Sequence, residues 1–362
     1  VICMLKNDLM ARKLPPTIPE GLTAEDWPEY RKKTLEMIMH EEYGITPPAP
    51  PEVRAEKGPY EENAWAGKAD QYPVKLSFDT PRGEFSFTAN IILPKSDHPL
   101  PMFIYLSFLP YPNGRYGPIE EIVDGGYAIA TFCYNDITKD TDDGFTSGLA
   151  AMYPRNDPAT DWGKIGMWAF AASRVMDYVQ TLPEIDKSRI FSVGHSRLGK
   201  TSIWCAAQDE RFAGGVSNDS GCSGAAITRG KQGEHVDVIT NVFPYWFCGN
   251  YRKYANREDE MPFDQHQLMA LLAPRILYVA SAVEDLWSDP QSEFMAATLA
   301  SESYEMLGLS GLVNPWKDYI SVGHHLHDGH IGYHLRKGRH FLSRDDWQQY
   351  MAYFDEHFPY DK

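Results

Sequence analysis

Arg189-Ile190-Phe191-Ser192-Val193-Gly194-His195-Ser196-Arg197-Leu198-Gly199-Lys200 reads as a short buried strand, a tight turn at Ser196 and an immediate helix. A serine lifted on such a turn stands over the carboxyl edge of a sheet, and the next backbone N–H points to where an oxyanion would develop. The usual spacing of the device is G-x-S-x-G. Here Leu198 fills the last place and the glycine follows at Gly199, so the strand-turn-helix setting has to carry the reading.

Apolar or alternating β-rich segments surround this stretch at 74–79, 85–93, 102–108, 127–134, 189–193, 214–218 and 276–281, with a further strand at 331–335. Helical patterns fall between and after the later strands, at 162–181, 198–208, 291–307 and 344–358, the last opened by Ser343 as N-cap with Asp346 three residues on. Alternation of strand and helix predicts a three-layer α/β sandwich on a mostly parallel, mixed central sheet with an antiparallel start. Residues 1–65 are Pro-rich and charged, with one helix over 24–40 entered past Thr23 and a forced extended run at Pro47-Pro48-Ala49-Pro50-Pro51. They read as an extension packed on a single catalytic domain, 66–362.

Composition narrows the function. At 362 residues, 43 % hydrophobic and 23 % charged, the chain can bury a large core and leaves no room for a disordered or low-complexity reading. Its longest apolar stretches, 102–109 and 165–172, fall well short of the roughly 18 to 20 residues of a membrane helix. With 34 basic against 50 acidic residues, net −16, phosphate backbones and anionic lipid surfaces are repelled, so neither nucleic acid nor membrane is an expected partner. Aromatics reach 13 %, a composition suited to sugar-binding surfaces as well as to a ring-filled core. The five cysteines show no C-x-x-C; Cys222 and Cys248 could pair, and buried free thiols are the simpler reading.

A serine hydroxyl needs an imidazole in hydrogen-bond reach, itself oriented by a carboxylate, and in the α/β-hydrolase order acid and histidine follow the serine. Six histidines crowd the end of the chain: His324, His325, His327, His330, His334 and His340. His324-His325-x-His327 lacks helix-spaced metal motifs, and no metal is expected. His340 stands apart in Gly338-Arg339-His340-Phe341-Leu342, after the 331–335 strand and just before the last helix. The acid is Asp219, after strand 214–218, or Asp285, after strand 276–281, since both strand ends face one sheet edge.

With these residues in view the sequence resembles the glucuronoyl esterases, carbohydrate esterase family 15. The family motif G-[CH]-S-R-x-G-K is matched by Gly194-His195-Ser196-Arg197-Leu198-Gly199-Lys200, displaced glycine included. Further matches are Asn218-Asp219-Ser220-Gly221-Cys222, Gly233-Glu234, Phe243-Pro244-Tyr245-Trp246-Phe247, Pro262-Phe263-Asp264-Gln265-His266, Glu284-Asp285-Leu286-Trp287-Ser288-Asp289-Pro290, and Gly332-Tyr333-His334 through Asp346-Trp347. They span roughly 160–350.

The resemblance implies Ser196 as nucleophile, His340 as base, Arg197 as an oxyanion contributor, and Lys200, Glu234 and Trp287 as holders of the glucuronoyl unit. One departure bears on the acid. Family members usually carry Glu where this chain has Asp219, which is shorter by about 1.5 Å, while some carry an acid at the later place, matched by Asp285. Asp285 is therefore expected as the main orienter of His340, with Asp219 supporting. The implied activity is hydrolysis of the ester between (4-O-methyl-)glucuronic acid of xylan and a lignin-type alcohol, with no metal or organic cofactor. Another carbohydrate ester such as acetylxylan, or a silent carbohydrate-binding relative, are the alternatives. A secreted or periplasmic location is expected from the family's work on plant wall, since the opening Val1-Ile2-Cys3 carries no signal pattern of its own, and a monomer is expected.

Overall fold

The computed structural model of the chain describes residues 3–111 and 114–359. Its strands are β1 (Arg54–Lys57), β2 (Glu61–Asn63), β3 (Ala69–Thr80), β4 (Gly83–Pro94), β5 (Leu100–Ser107), β6 (Ala128–Cys133), β7 (Ile185–His195), β8 (Gly214–Asn218), β9 (Ile276–Ala282), β10 (His325–Leu326) and β11 (Ile331–Arg336). They form one sheet in the order β1-β3-β4-β6-β5-β7-β8-β9-β11-β10, with β2 paired to β3. From β6 through β11 the neighbours run parallel, whereas β1 to β4 and the β10 edge are antiparallel. This is the α/β-hydrolase sandwich.

The parallel strands are continuous apolar runs because both of their faces are covered. Every residue of β5, β6, β8 and β9 is buried. Alternate side chains of β5 divide between two cores: Met102, Ile104 and Leu106 join helices Lys164–Val179 and Arg197–Gln208 on one face. Phe103 and Tyr105 join Trp347 and Phe354 of helix Arg344–His357 on the other. There Phe191 stacks on Phe354 with ring centroids 3.8 Å apart. Ser343 caps that helix as expected, its Oγ accepting from the Asp346 amide at 3.2 Å while Asp346 accepts from the Ser343 amide at 2.7 Å.

Differences from expectation lie near the start. The first long helix runs Trp27–Ile38 rather than from 24, because the Thr23 hydroxyl donates to Asp26 Oδ2 at 2.8 Å instead of accepting from the helix amides. Its Arg31 reaches the carbonyls of Leu271 and Ala207, at 2.8 and 2.6 Å, and pins this region to the domain. β1 is a charged edge strand, Arg-Ala-Glu-Lys, with no apolar alternation to announce it. All five cysteines are free thiols, so the Cys222–Cys248 bridge does not form. Among the described residues no helix is long and apolar enough to cross a membrane.

Candidate active site

Ser196 directly follows β7 with φ 58° and ψ −127°, a conformation that a non-glycine residue adopts only under constraint. Its amide donates to the Asn218 carbonyl at the end of β8, 2.8 Å away. Gly194 is required because a Cβ there would lie 1.9 Å from the Leu198 carbonyl oxygen. Gly199 explains the displaced motif. It abuts the chain leaving β8, where a Cβ would come within 3.0 Å of Ser220 Cβ and 3.2 Å of the Asn218 oxygen, while Leu198 points into the core.

Asp219, Asp285 and His340 follow the ends of β8, β9 and β11, and one ligating atom from each lies within 4.8 Å of the others. His340 Nδ1 meets Asp285 Oδ2 at 2.6 Å, the carboxylate side chain being only 5 % exposed and the imidazole 43 %. Burial pushes the Asp285 carboxyl up, but the hydrogen bond and charge of His340, with Ser288 donating as well, outweigh it and leave the pKa below its ordinary value. Asp219 takes a different place. It is fully buried with φ 45°, and its Oδ2 accepts from Arg336 Nη2 at 3.0 Å and from the Phe341 amide at 3.3 Å. Burial and the neighbouring Glu293 raise its pKa, against the charge of Arg336. Asp285 thus touches the imidazole, and Asp219 touches the loop that carries it.

The His340 ring lies 4.5 Å, centroid to centroid, from the ring of His195, the residue preceding the serine. His195 is buried, which drops its pKa to about 3 with help from His340, so it stays neutral while its Nδ1 bonds Asn218 Oδ1 at 2.7 Å. Among the described residues Ser196 Oγ and His340 are not hydrogen-bonded; in free hydrolases that contact is often long and tightens around substrate.

Two residues outside the expected set hold the site in shape. Arg336 grips both oxygens of Asp346, at 3.0 and 2.9 Å, and reaches the carbonyls of Lys337, Arg339 and Phe341, so one guanidinium folds the whole His340 loop. Asp140, nearly buried, ion-pairs Arg197 and also accepts from Tyr134 Oη at 3.1 Å, Tyr245 Oη at 3.2 Å and Trp246 Nε1 at 2.8 Å. The Arg197 guanidinium lies 4.8 Å over the Trp246 ring and 5.4 Å over Phe243. The Phe243-Pro244-Tyr245-Trp246 motif is thereby a cradle for that arginine. Nothing local in Lys139-Asp140-Thr141-Asp142-Asp143 marks which acid turns inward.

Lys200 is buried, and its ammonium donates to the Ser220 carbonyl; burial lowers its pKa. It is no helix-surface lysine. The Glu234 amide donates to the Trp287 carbonyl at 3.1 Å, and Lys231 Nζ binds the carbonyls of Glu234 and Trp287 at 2.8 and 3.3 Å. Trp287 itself is 54 % exposed, so its indole is open to a ligand rather than spent on the core. Of the remaining histidines, His327 and His334 both bond Tyr278 Oη, at 2.8 and 2.9 Å, on the far core.

Beneath the acids Glu293 is fully buried, accepting from the Gly221 amide at 2.9 Å and Ser281 Oγ at 2.5 Å, and burial lifts its pKa to about 8. The folded state then holds a proton that the unfolded chain releases between its ordinary pKa of about 4.3 and about 8, so stability falls as pH rises through that window. Glu293→Gln is expected to flatten this descent in melting temperature against pH. A slope unaltered by the substitution would refute the assignment.

A hydroxyl on a strained turn, an imidazole oriented by a buried carboxylate and a fixed guanidinium are what acyl transfer through a serine ester needs. Comparison with known proteins points the same way. The family model "Glucuronyl esterase, fungi" matches residues 77–308. A carbohydrate esterase, MZ0003, from an unknown prokaryotic organism is 44 % identical over 250 residues, 67 % of this chain and 56 % of that protein. This chain's match thus spans little more than half the length of that relative. The 4-O-methyl-glucuronoyl methylesterase of Schizophyllum commune is 26 % identical over 79 % of this chain and 70 % of its own length. Among solved structures, a glucuronoyl esterase from Solibacter usitatus superposes with a TM-score of 0.88 at 34 % identity, covering 96 % of this chain and 98 % of that one.

Proposed function

Because this chain belongs to the glucuronoyl esterases, carbohydrate esterase family 15, we propose that it hydrolyses the ester between the C6 carboxyl of (4-O-methyl-)glucuronic acid on xylan and a lignin-type alcohol. Ser196 Oγ attacks the carboxyl carbon as its proton passes to His340 Nε2. Asp285 keeps the Nδ1 proton in place and stabilises the imidazolium, while Asp219 supports the loop. The Arg197 guanidinium and amide face the developing oxyanion. Collapse breaks the bond to the alcohol oxygen, which takes the proton from His340. Water then adds to the acyl-enzyme, losing a proton to His340, and release of the uronate restores Ser196. Lys200, Glu234 and Trp287 hold the sugar ring and hydroxyls.

The observation that carries this reading is the 2.6 Å contact of His340 with buried Asp285, beside a serine held at positive φ. A neutral ester meets an acidic protein of net charge −16 without repulsion, and the uronate product is repelled. A wall-polymer substrate implies work outside the cytoplasm, secreted or periplasmic. The test is turnover of benzyl glucuronate against acetylated xylan and p-nitrophenyl acetate. A kcat/KM at least tenfold in favour of the uronate ester is expected. Preference for acetylated xylan would reassign the acyl group, and sugar binding without any acyl-enzyme burst would make the protein a silent binder.

A further inference from the structure

Lys231 is a buried cation to which the proposed chemistry gives no part. Its ammonium donates to the carbonyls of Gln232, Glu234 and Trp287, the last two at 2.8 and 3.3 Å. An ammonium has three N–H donors, so all of them are spent within the protein and none is left for a ligand. Two loops meet at this point, one carrying Glu234 and the other Trp287, and main chain touches main chain between them. The Glu234 amide donates to the Trp287 carbonyl at 3.1 Å, and the Gln232 amide donates to Asp289 Oδ2 at 3.0 Å. Gly233 stands between them at φ 73°, where a Cβ would lie 2.4 Å from the Trp287 carbonyl oxygen.

Leu286 and Trp287, at the tip of the second loop, are both more than half exposed, so the place of the indole depends on how its main chain is held. A hydrogen bond from a buried ammonium is among the strong ones, and here a single cation takes the carbonyls of both sugar-holding residues. The catalytic end of the same loop is fixed separately. There the Asp285 amide donates to the Ala282 carbonyl at 3.0 Å, and its carboxylate accepts from the Ser288 amide at 3.3 Å while it meets His340 at 2.6 Å. Loosening the Lys231 end would therefore shift Trp287 against Glu234 and leave the acid on the imidazole. We propose that Lys231 is a positioning residue that sets the spacing of Glu234 and Trp287 and thereby makes the site selective for esters whose acyl half is a pyranose. This rests on the uronoyl-ester reading above.

The test compares kcat and KM for benzyl glucuronate with those for p-nitrophenyl acetate, whose acyl half carries no sugar. Lys231→Met is expected to raise KM for the glucuronate about tenfold while kcat changes less than about threefold, the signature of binding lost equally from ground and transition states. The kcat/KM preference for the glucuronate over the acetate should fall about tenfold with it. Lys231→Arg keeps the charge and the donors and should raise KM less. Gly233→Ala forces the same two loops apart with Lys231 intact and should reproduce the KM effect. A wild-type KM in Lys231→Met, or a loss that falls equally on both esters, would overturn the proposal while leaving the esterase reading standing. A wild type that cleaves the acetate but not the glucuronate would sink both.

Discussion

Asp285→Asn is expected to lower kcat on a glucuronate ester by about 10³ to 10⁴ with little change in KM. The acceptor that now faces His340 Nδ1 at 2.6 Å would become an amide free to turn its NH2 toward that nitrogen. The imidazole would then carry its proton on Nε2 and could no longer accept one from Ser196. Asp219→Asn is expected to cost far less, about tenfold, together with a lower melting temperature. Its Oδ2 holds Arg336 and the Phe341 amide, at 3.0 and 3.3 Å, rather than the imidazole, so the loop loosens while the tautomer survives. Steady-state kinetics of the two variants decide the matter. The reverse order of losses would make Asp219 the orienting acid.

The parts of this molecule legible in the sequence are those whose signal is local. β8 has the expected bounds, β9 and β11 gain one residue at the end, and β5 and β6 shift by one or two residues at both ends, because burial on both faces writes them as unbroken apolar runs. β1 and β2 escape notice because an exposed edge is charged for solubility and carries no period-two pattern. β10, two residues long, has no pattern to show. Ser196 and Asp219 directly follow a strand, and Asp285 and His340 come three and four residues past one, so all four could be named from strands whose direction the alternating pattern fixes. Arg336, Asp140 and Glu293 could not. Arg336 pairs with a carboxylate 117 residues away and Asp140 with a guanidinium 57 away, and such partners are chosen by sheet order. In Leu335-Arg336-Lys337-Gly338-Arg339 three cations look alike until the strand end turns one of them inward.

That distant pairing bears directly on the oxyanion. Arg197→Ala is expected to lower kcat by about 10² to 10³, the loss typical of one fixed donor at a developing negative charge. A guanidinium is worth that much only if it is aimed beforehand, and here Asp140 is its ion-pair partner. Of the groups holding the guanidinium among the described residues, Asp140 alone is charged and nearly buried, and it is itself locked by Tyr134, Tyr245 and Trp246. Among the described residues Asp140 bonds Arg197, Tyr134, Tyr245 and Trp246 and neither Ser196 nor His340, so it is expected to act through the arginine. Asp140→Asn should therefore lower kcat by about 10- to 100-fold, with a smaller change in KM, because the guanidinium must then be ordered during the reaction. The discriminating measurement is the double-mutant cycle. If Asp140 works through Arg197, adding Asp140→Asn to Arg197→Ala costs almost nothing further in kcat. Losses that simply multiply would show that Asp140 serves the fold of the 134–140 loop and that the arginine finds its aim without it.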